Sequence, residues 1–199
     1  MFIFTSKNKK EVGFISKNIV LIQFSSREQG NCAAISAQIA AHYAADTVAQ
    51  FSADEKVVQP CNNCNYECLL PGKLCPNLND AHNQLMDAIC KADLVYFIIP
   101  NYCGYPSANY FAFNERAVGY FNMDRSLMRK YMDIPKRFVI VSNTEGPNFE
   151  SALNQQVNGT PDIIYMKTGK YHKQSIAGDM MNAGDAQADL KAFLECYKF

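Results

Sequence analysis

The fold of this chain is decided by residues 19–32, IVLIQFSSREQGNC, in which an apolar run leads into a short polar loop. The run IVLI predicts a buried strand, and beyond the loop Ile35, Ile39 and Tyr43 recur at the spacing of an α-helix. A strand, a polar loop and a helix N-terminus together form an anion site. The reason is that the first helical turn carries unpaired N–H groups and the positive end of the helix dipole.

The residue types of this loop suit an anion. Ser25 offers a hydroxyl donor, Arg27 offers a charged guanidinium, and Gly30 lets the backbone approach a ligand closely. The alternative is a plain connection between strand and helix in which Asn31 serves as the helix cap. The rest of the chain favours the anion site.

Apolar runs and helical patterns alternate along most of the remaining sequence. Further strands are predicted, in chain order, at residues 47–51, 94–99, 138–141 and 163–166. Helices are predicted from about residue 80, from about residue 107, over about residues 149–157, and around residues 190–194. Five strands alternating with helices indicate an α/β fold with a parallel sheet covered on both faces. Ligands of such sheets bind at the carboxyl ends of the strands.

Length and charge limit the classes of function. At 199 residues the chain, residues 1–199, is predicted to form one domain. Lys plus Arg equals Asp plus Glu at 19 each, and this balance argues against a nucleic-acid partner. No apolar run approaches the length that spans a bilayer, so no membrane partner is expected. Eight cysteines without an export signal predict reduced thiols and a cytoplasmic location.

The first 17 residues do not fit the alternation of strands and helices. Apolar residues 2–4 and 12–15 flank a turn rich in Lys and Asn, a pattern that predicts a β-hairpin. The alternative is an ordered extension without a function of its own.

Two more polar loops follow the third and fourth predicted strands, at the same edge of the sheet as the first loop. They read PNYCGYP at residues 100–106 and SNTEGP at residues 142–147. Aromatic rings beside amide and backbone donors suit a flat heterocycle. The sequence has no G-x-G-x-x-G, P-loop, G-x-S-x-G or H-E-x-x-H motif, and its three histidines are isolated. With the anion site nearby, these loops predict a flat cofactor that carries a phosphate.

Two segments resemble the NAD(P)H-dependent FMN reductase family. That family's first loop typically runs G-S-P-R-x-x-G-N-T, and residues 24–32 here read FSSREQGNC. Its third strand leads through S-P-V-Y-F-G to S-A-Q-L-K-A-F-I-D-R, and residues 99–104 and 107–116 here read IPNYCG and SANYFAFNER. The chain is most similar to the cysteine-bearing branch, which includes the iron–sulfur flavoproteins. The resemblance implies a flavodoxin-like fold with a five-stranded parallel sheet in the order 2-1-3-4-5.

The resemblance also implies the cofactor-binding residues. The FMN phosphate would be held by Ser25, Arg27, Asn31 and Cys32, with Gly30 allowing close approach. The isoalloxazine ring would be surrounded by Pro100, Asn101, Tyr102, Cys103 and Gly104 and by Asn143, Thr144, Glu145 and Gly146. Cys32 stands where the family has a hydroxyl residue, so only its backbone N–H is a dependable donor. A nicotinamide would stack on the exposed flavin face, against Tyr102 or Tyr105.

The cysteines at positions 61, 64, 68 and 75 form the pattern C-x2-C-x3-C-x6-C-P. Four thiolates within such a short segment suit an iron–sulfur cluster such as [4Fe-4S], with Cys61, Cys64, Cys68 and Cys75 as ligands. Tetrahedral zinc, a functional disulfide, and cysteines without any ligand are the alternatives. Cys90 and Cys196 are predicted to be packing residues on helices.

The function expected from the resemblance is an FMN-binding oxidoreductase that transfers electrons from NAD(P)H to a quinone, a flavin or a protein. No general acid or base is assigned, because the chemistry belongs to the cofactor. One alternative is an iron–sulfur flavoprotein that carries electrons to a protein partner. Another is a non-catalytic binding protein with the same fold. The resemblance also implies a homo-oligomer, since a second subunit often completes such flavin sites.

Overall fold

The structure is a computed structural model that describes residues 16–54, 58–61, 64–77 and 79–199. The hairpin predicted in the N-terminal extension falls on residues 2–15, which lie outside the described residues. It therefore stays a prediction.

The centre of the described fold is a parallel sheet. The strands are β1 (Asn18–Gln23), β2 (Thr47–Ser52), β3 (Leu94–Tyr102), β4 (Tyr105–Pro106), β5 (Lys136–Ser142) and β6 (Asp162–Lys167). Five of them pair in parallel in the order β2-β1-β3-β5-β6, and the short β4 pairs antiparallel with β3. The predicted α/β class, the parallel sheet and the strand order are thus confirmed. The short strand β4 was not predicted.

Helices cover both faces of this sheet. Those within the described residues are α1 (Asn31–His42), α2 (His82–Ile89), α3 (Ala108–Met123), α4 (Arg125–Asp133), α5 (Phe149–Leu153) and α6 (Gly184–Glu195). None of them is long and apolar enough to cross a bilayer. The helix α4 was not predicted, and α5 is shorter than predicted because a 3-10 turn continues it over Asn154–Gln156.

Alternating strand residues divide the core into two layers. In β3, Val95, Phe97 and Ile99 point to one face of the sheet, where they pack with residues of α2, α3, α4 and α5. Tyr96 and Ile98 point to the other face, where they pack with residues of α1 and α6. All eight residues Leu94 to Asn101 are buried, as expected for a strand with helices on both sides.

Two cysteines that were predicted to pack on helices behave differently. Cys90 follows α2 and is buried in the core, as predicted. Cys196 follows α6 and is exposed, so its prediction as a packing residue is wrong. It lies at the C-cap of α6, whose inward positions are filled by Ala186, Leu190 and Leu194.

Candidate functional site

A pocket lies where the central strands β1, β3 and β5 end, at the carboxyl edge of the sheet. It has a volume of about 170 Å³. Its lining consists of Ser25, Arg27, Gly30, Asn31, Cys32, Pro100, Asn101, Tyr102, Val141, Ser142, Asn143 and Ser175. Three loops that are far apart in the sequence therefore meet in one place, as the order of a parallel sheet requires.

The first loop leaves the N-terminus of α1 without a side-chain cap. The N-cap position is Gly30, and no side chain among the described residues accepts a hydrogen bond from the first turn. The first backbone bond of the helix runs from the N–H of Ala34 to the Gly30 carbonyl over 3.0 Å. The backbone N–H groups of Asn31 and Cys32 come before this first bond in the chain, and both residues line the pocket. An uncapped helix N-terminus that lines a cavity is a site for an anion.

The loop itself is held in shape by short-range bonds and by α3. The Ser25 hydroxyl accepts the N–H of Arg27 over 3.2 Å. The Ser107 hydroxyl donates to the Phe24 carbonyl over 2.9 Å, and the Asn109 amide donates to the Ser26 hydroxyl over 3.1 Å. The first loop is consequently fixed to the start of α3, the segment that carries the second family-like motif.

Cys32 is a buried thiol at this helix start. Burial raises its pKa to about 12 and outweighs the opposing effects of the Arg27 charge and a hydrogen bond with Ser25. The thiol is therefore neutral at physiological pH, and it places no negative charge in a site built for an anion.

Asn101 joins the two remaining loops. Its amide nitrogen donates to the Ser142 hydroxyl over 2.7 Å and to the Glu145 carbonyl over 3.2 Å. Its amide oxygen accepts the N–H of Gly104 over 2.9 Å. A buried side chain with these three partners holds the wall of the pocket in position rather than leaving its amide free for a ligand.

Several predicted site residues lie next to the pocket but outside its lining. They are Cys103, Gly104, Thr144, Glu145 and Gly146. Cys103 and Gly104 both have positive φ, 54° and 87°, and form the two-residue turn between β3 and β4. Glu145 is exposed and forms an ion pair with Lys167. These residues shape the rim.

The rim carries exposed aromatic surface. Tyr102 and Tyr105 face each other across the turn between β3 and β4, and they are 57% and 52% exposed. The Gly104 carbonyl accepts the Asn148 side-chain amide over 3.3 Å, which fixes the turn to the loop after β5. The mouth of the pocket is thus aromatic and held by hydrogen bonds.

Two lining residues, Val141 and Ser175, were missed, and Ser142 was included in the predicted loop without being assigned to the site. Val141 and Ser142 end β5, and their place at the carboxyl edge of a central strand was the available signal. Ser175 comes from the segment after β6, and no local pattern marks it. It reaches the pocket because its carbonyl accepts hydrogen bonds from Arg27 and Asn31.

Three cysteines of the predicted metal site, Cys61, Cys68 and Cys75, lie against α3. The backbone N–H of Cys61 donates to the Glu115 carboxylate, and the Asn122 amide donates to the Cys68 carbonyl over 2.9 Å. A Cβ placed on Gly119 would lie 3.3 Å from the Cys75 Cβ and 3.5 Å from the Cys68 Cβ. The segment therefore packs along positions 115, 119 and 122, one face of the helix.

These thiols lie near one another, and each affects the pKa of a neighbour. Within the described part of the chain, no group of three or more Cys, His, Asp or Glu residues is arranged to hold a metal ion. Burial raises the pKa of Cys61, with further contributions from Cys64 and Glu115. Burial likewise raises the pKa of Cys68, with a contribution from Cys75. The geometry does not support a [4Fe-4S] cluster, and the ligand of the quartet stays a prediction.

No protein-family model matches the chain, and no curated protein sequence matches it. Solved structures do match. The Trp repressor binding protein from Bacillus subtilis is 11% identical with a TM-score of 0.61, over 91% of this chain and 99% of that one. FerB, the flavoenzyme NAD(P)H:(acceptor) oxidoreductase from Paracoccus denitrificans, is 14% identical with a TM-score of 0.53, over 90% and 96%. An azoreductase from Bacillus anthracis str. Sterne is 14% identical with a TM-score of 0.51, over 91% and 96%.

The fold and the comparisons define the structural class. The chain has the flavodoxin-like α/β fold shared with these structures. The fold that was expected from the resemblance of the first loop and the start of α3 is therefore confirmed.

Proposed function

We propose that this protein is an FMN-binding oxidoreductase that takes electrons from NAD(P)H. The observation that carries the proposal is the pocket at the carboxyl edge. There an uncapped helix N-terminus and Arg27 lie beside a wall formed by Pro100 and Tyr102. Two of the structural neighbours are named as a flavoenzyme NAD(P)H:(acceptor) oxidoreductase and an azoreductase.

The donors present match the groups of FMN. A terminal phosphate needs N–H and hydroxyl donors with positive charge, which the start of α1, Arg27 and Ser25 offer. A flat ring needs an apolar wall with a few polar groups at its edge, which Pro100, Tyr102 and neighbouring backbone groups offer. The neutral thiol of Cys32 is compatible with an anion.

When bound, FMN supplies a ring that accepts hydride from a reduced nicotinamide and passes electrons to an acceptor. The chain's own residues bind and orient. Arg27 and the first turn of α1 would hold the phosphate, and Asn101 keeps the loops after β3 and β5 at a fixed separation. The exposed rings of Tyr102 and Tyr105 would provide a surface for a nicotinamide or a planar acceptor.

The purified protein is titrated with FMN, and binding is measured as quenching of the flavin fluorescence. The oxidation of NAD(P)H is then assayed in the presence of a quinone. We expect saturable binding of one FMN per chain and consumption of NAD(P)H that depends on both FMN and quinone. Binding of FMN without NAD(P)H consumption would favour an electron carrier. Absence of FMN binding would overturn the proposal and favour a non-catalytic protein with this fold.

An iron–sulfur electron carrier is the second candidate function. The observation in its favour is Arg116, which is 3% exposed and lies beside Cys75. Its Nε has no hydrogen-bond partner among the described residues. A buried N–H of this kind would suit a cysteine thiolate of a cluster. Analysis of iron and acid-labile sulfide in protein purified without oxygen decides between a cluster and free thiols.

The partners and the assembly belong to the same proposal. We expect a small-molecule or protein electron acceptor, no nucleic-acid or membrane partner, and a homo-oligomer. Light scattering on purified protein tests the assembly, and the cytoplasmic location stays a prediction.

A further inference from the structure

The chain reverses direction at a β-turn inside the cysteine segment. The N–H of Lys73 donates to the Leu70 carbonyl over 3.1 Å, and the two residues enclosed are Pro71 and Gly72. Gly72 has a φ of +71°, the positive value that the third residue of a type II turn requires, and proline is favoured just before it. Residues at equal distances before and after the turn therefore come to lie opposite each other.

Cys68 and Cys75 are placed opposite each other by this turn, because one lies two residues before it and the other two residues after it. They meet over Gly119 on α3. A Cβ placed on Gly119 would lie 3.5 Å from the Cys68 Cβ, 3.3 Å from the Cys75 Cβ and 3.8 Å from the Cys75 sulfur. Since both cysteine Cβ atoms contact one point, they are neighbours in space, which is the first condition for a disulfide.

Contacts with α3 hold both cysteines in place. The Asn122 amide donates to the Cys68 carbonyl over 2.9 Å. Beside Cys75 lies Arg116, which is 3% exposed and whose Nε has no hydrogen-bond partner among the described residues. An N–H of this kind can donate to a cysteine sulfur. The two thiols are therefore positioned by the helix as well as by the turn.

The two cysteines differ in their access to solvent. Cys68 is half-buried and Cys75 is buried. A small reagent in solution therefore reaches Cys68 first, and Cys75 is positioned to react with whatever Cys68 has bound. Cys61 and Cys64 both precede the turn, which places neither of them opposite another cysteine.

We propose that Cys68 and Cys75 form a reversible disulfide by exchange with a low-molecular-weight disulfide. The Cys68 sulfur, as a thiolate, attacks one sulfur of the small disulfide, whose bond breaks and releases one small thiol. The Cys75 sulfur then attacks the Cys68 sulfur of this mixed disulfide, forms the bond between the two cysteines and releases the second small thiol. The two cysteine protons end on the two released thiols, and the two electrons lost by the pair reduce the small disulfide.

The bond would close residues 68–75 into a ring. This loop lines a surface cavity of about 630 Å³ together with Asn122 and Arg125, and its three leucines are each more than half exposed. Oxidation would therefore fix an exposed apolar surface in one conformation. In a reducing compartment a bond of this kind is transient and follows the thiol–disulfide balance. The inference does not depend on flavin binding.

The experiment equilibrates the full-length protein with mixtures of bis(2-hydroxyethyl) disulfide and 2-mercaptoethanol. Free thiols are then alkylated, and the linked peptides are mapped by mass spectrometry. We expect a disulfide between Cys68 and Cys75 whose equilibrium constant exceeds that of any other cysteine pair by at least about tenfold. Cys68→Ser should abolish it. Cys196→Ser is the control, because Cys196 is exposed at the end of α6, and it should leave the constant within about twofold.

A second variant keeps both thiols and tests their position on α3. Gly119→Ala places a methyl group in the space beside the pair, and alanine is favoured over glycine inside a helix, so the fold tolerates the change. We expect the equilibrium constant of the disulfide to fall by about threefold, because the added Cβ presses on the Cys75 Cβ. Gly184→Ala, whose added Cβ has nothing within 4 Å, is the control and should leave it within about twofold.

The outcomes that would overturn the inference are distinct. One is a disulfide that joins Cys61 or Cys64 to another cysteine in preference to the proposed pair. Another is a mixed disulfide on Cys68 that persists, because Cys75 then does not reach it. Iron and acid-labile sulfide that protect all four cysteines from alkylation, in protein purified without oxygen, would also overturn it and support the cluster. None of these results changes the outcome of the FMN titration, which tests the proposed function separately.

Discussion

The pocket and the cysteine segment contrast in how their residues are brought together. The pocket draws on residues as far apart in sequence as Ser25 and Ser175, yet they line one cavity. The cysteines at positions 61 to 75 are close in sequence, yet their thiols do not form a metal site among the described residues. In this fold the parallel sheet brings distant residues to one edge, whereas closeness in sequence does not by itself arrange thiols around a metal.

The physical reason lies in what fixes each backbone. The pocket loops begin at the ends of buried strands and are tied to one another by Asn101 and Arg27. The cysteine segment contains one short 3-10 turn, Glu67–Leu69, and several exposed apolar side chains, including Leu69 and Leu74. Contacts hold this segment at its two ends and along α3.

The largest expected effect concerns the buried contacts that hold the two ends of the cysteine segment. We call these contacts the root of the segment. Arg116 and Asp80 form a buried ion pair of 2.6 Å, and Arg116 also donates to the Gln59 and Asn77 carbonyls. Asp80→Asn leaves a buried guanidinium without its counter-charge, so we expect the free energy of unfolding to fall by about 3 kcal/mol. Urea denaturation measures this change.

The control for this prediction is Glu195→Gln, which removes one partner of the exposed pair with Lys191. That change should alter the free energy of unfolding by less than about 0.5 kcal/mol. FMN affinity of folded Asp80→Asn should stay within about threefold of wild type, because distant sites act independently. A parallel loss of FMN affinity would show that the two regions are coupled and would break the contrast between them.

The second prediction concerns the anion end of the pocket. Arg27→Gln removes the positive charge and weakens the hydrogen bonds to the Ser175 and Ile176 carbonyls. A hydrogen bond to a charged group contributes about 2 kcal/mol, so we expect FMN affinity to fall by about 30-fold. Fluorescence titration measures it.

Arg129→Gln on α4 is the matched control, since Arg129 is exposed and lies outside the pocket lining. We expect its FMN affinity to equal that of the wild type. Equal affinity in Arg27→Gln as well would place the phosphate elsewhere.

The third prediction concerns the loop after β5 at the rim of the pocket. An added Cβ at Gly146 would lie 2.9 Å from Phe149 Cδ2 and 3.1 Å from Tyr165 Cε1. Both rings belong to the packed layer beneath the loop after β5, so Gly146→Ala should lower the free energy of unfolding by about 1–2 kcal/mol. Gly184→Ala, where nothing lies within 4 Å, is the control and should not destabilise. Equal denaturation midpoints for the two variants would contradict the prediction.

The strands of the sheet could be predicted from the sequence because the pattern that identifies each strand lies within that strand. Continuous apolar runs such as residues 94–99 identify strands buried on both faces, and the loops that follow them must meet at one edge. Helix α4 was missed because it is mostly polar and buries only Tyr131. Its signal was Asp124, an N-cap whose side chain accepts the Ser126 N–H over 2.8 Å.

Other features had no local signal at all. Ser175 reaches the pocket through carbonyl bonds to Arg27, which side-chain patterns do not encode. Asn101 was predicted to surround a flavin ring, and its actual hydrogen bonds join two loops of the protein. In both cases the residue's partners are set by tertiary structure, so a single sequence predicts that the residue is present at the edge but not what it contacts.

The smallest expected effect returns to the root of the cysteine segment. His82 begins α2 and is buried, and its Nε2 lies 3.0 Å from the Phe113 carbonyl. Since a carbonyl only accepts, Nε2 carries a hydrogen. Burial lowers the pKa of His82 from its ordinary 6.5; the Phe113 hydrogen bond and the charge of Asp80 oppose the shift, and the charge of Arg116 adds to it.

As the pH falls below about 6.5, the unfolded chain protonates this histidine before the folded protein does. The contribution of the neutral ring is therefore complete above that pH and is lost on acidification toward the lower folded pKa. His82→Gln should flatten the loss of stability on acidification below about pH 6.5, as measured by urea midpoints. Asp80, whose pKa is lowered from 3.8 by the hydrogen bonds of Arg116 against the effect of burial, acts only in more acidic solution. An unchanged slope in His82→Gln would mean that the ring takes up its proton equally readily in the folded and unfolded states, and that burial at this position does not lower its pKa.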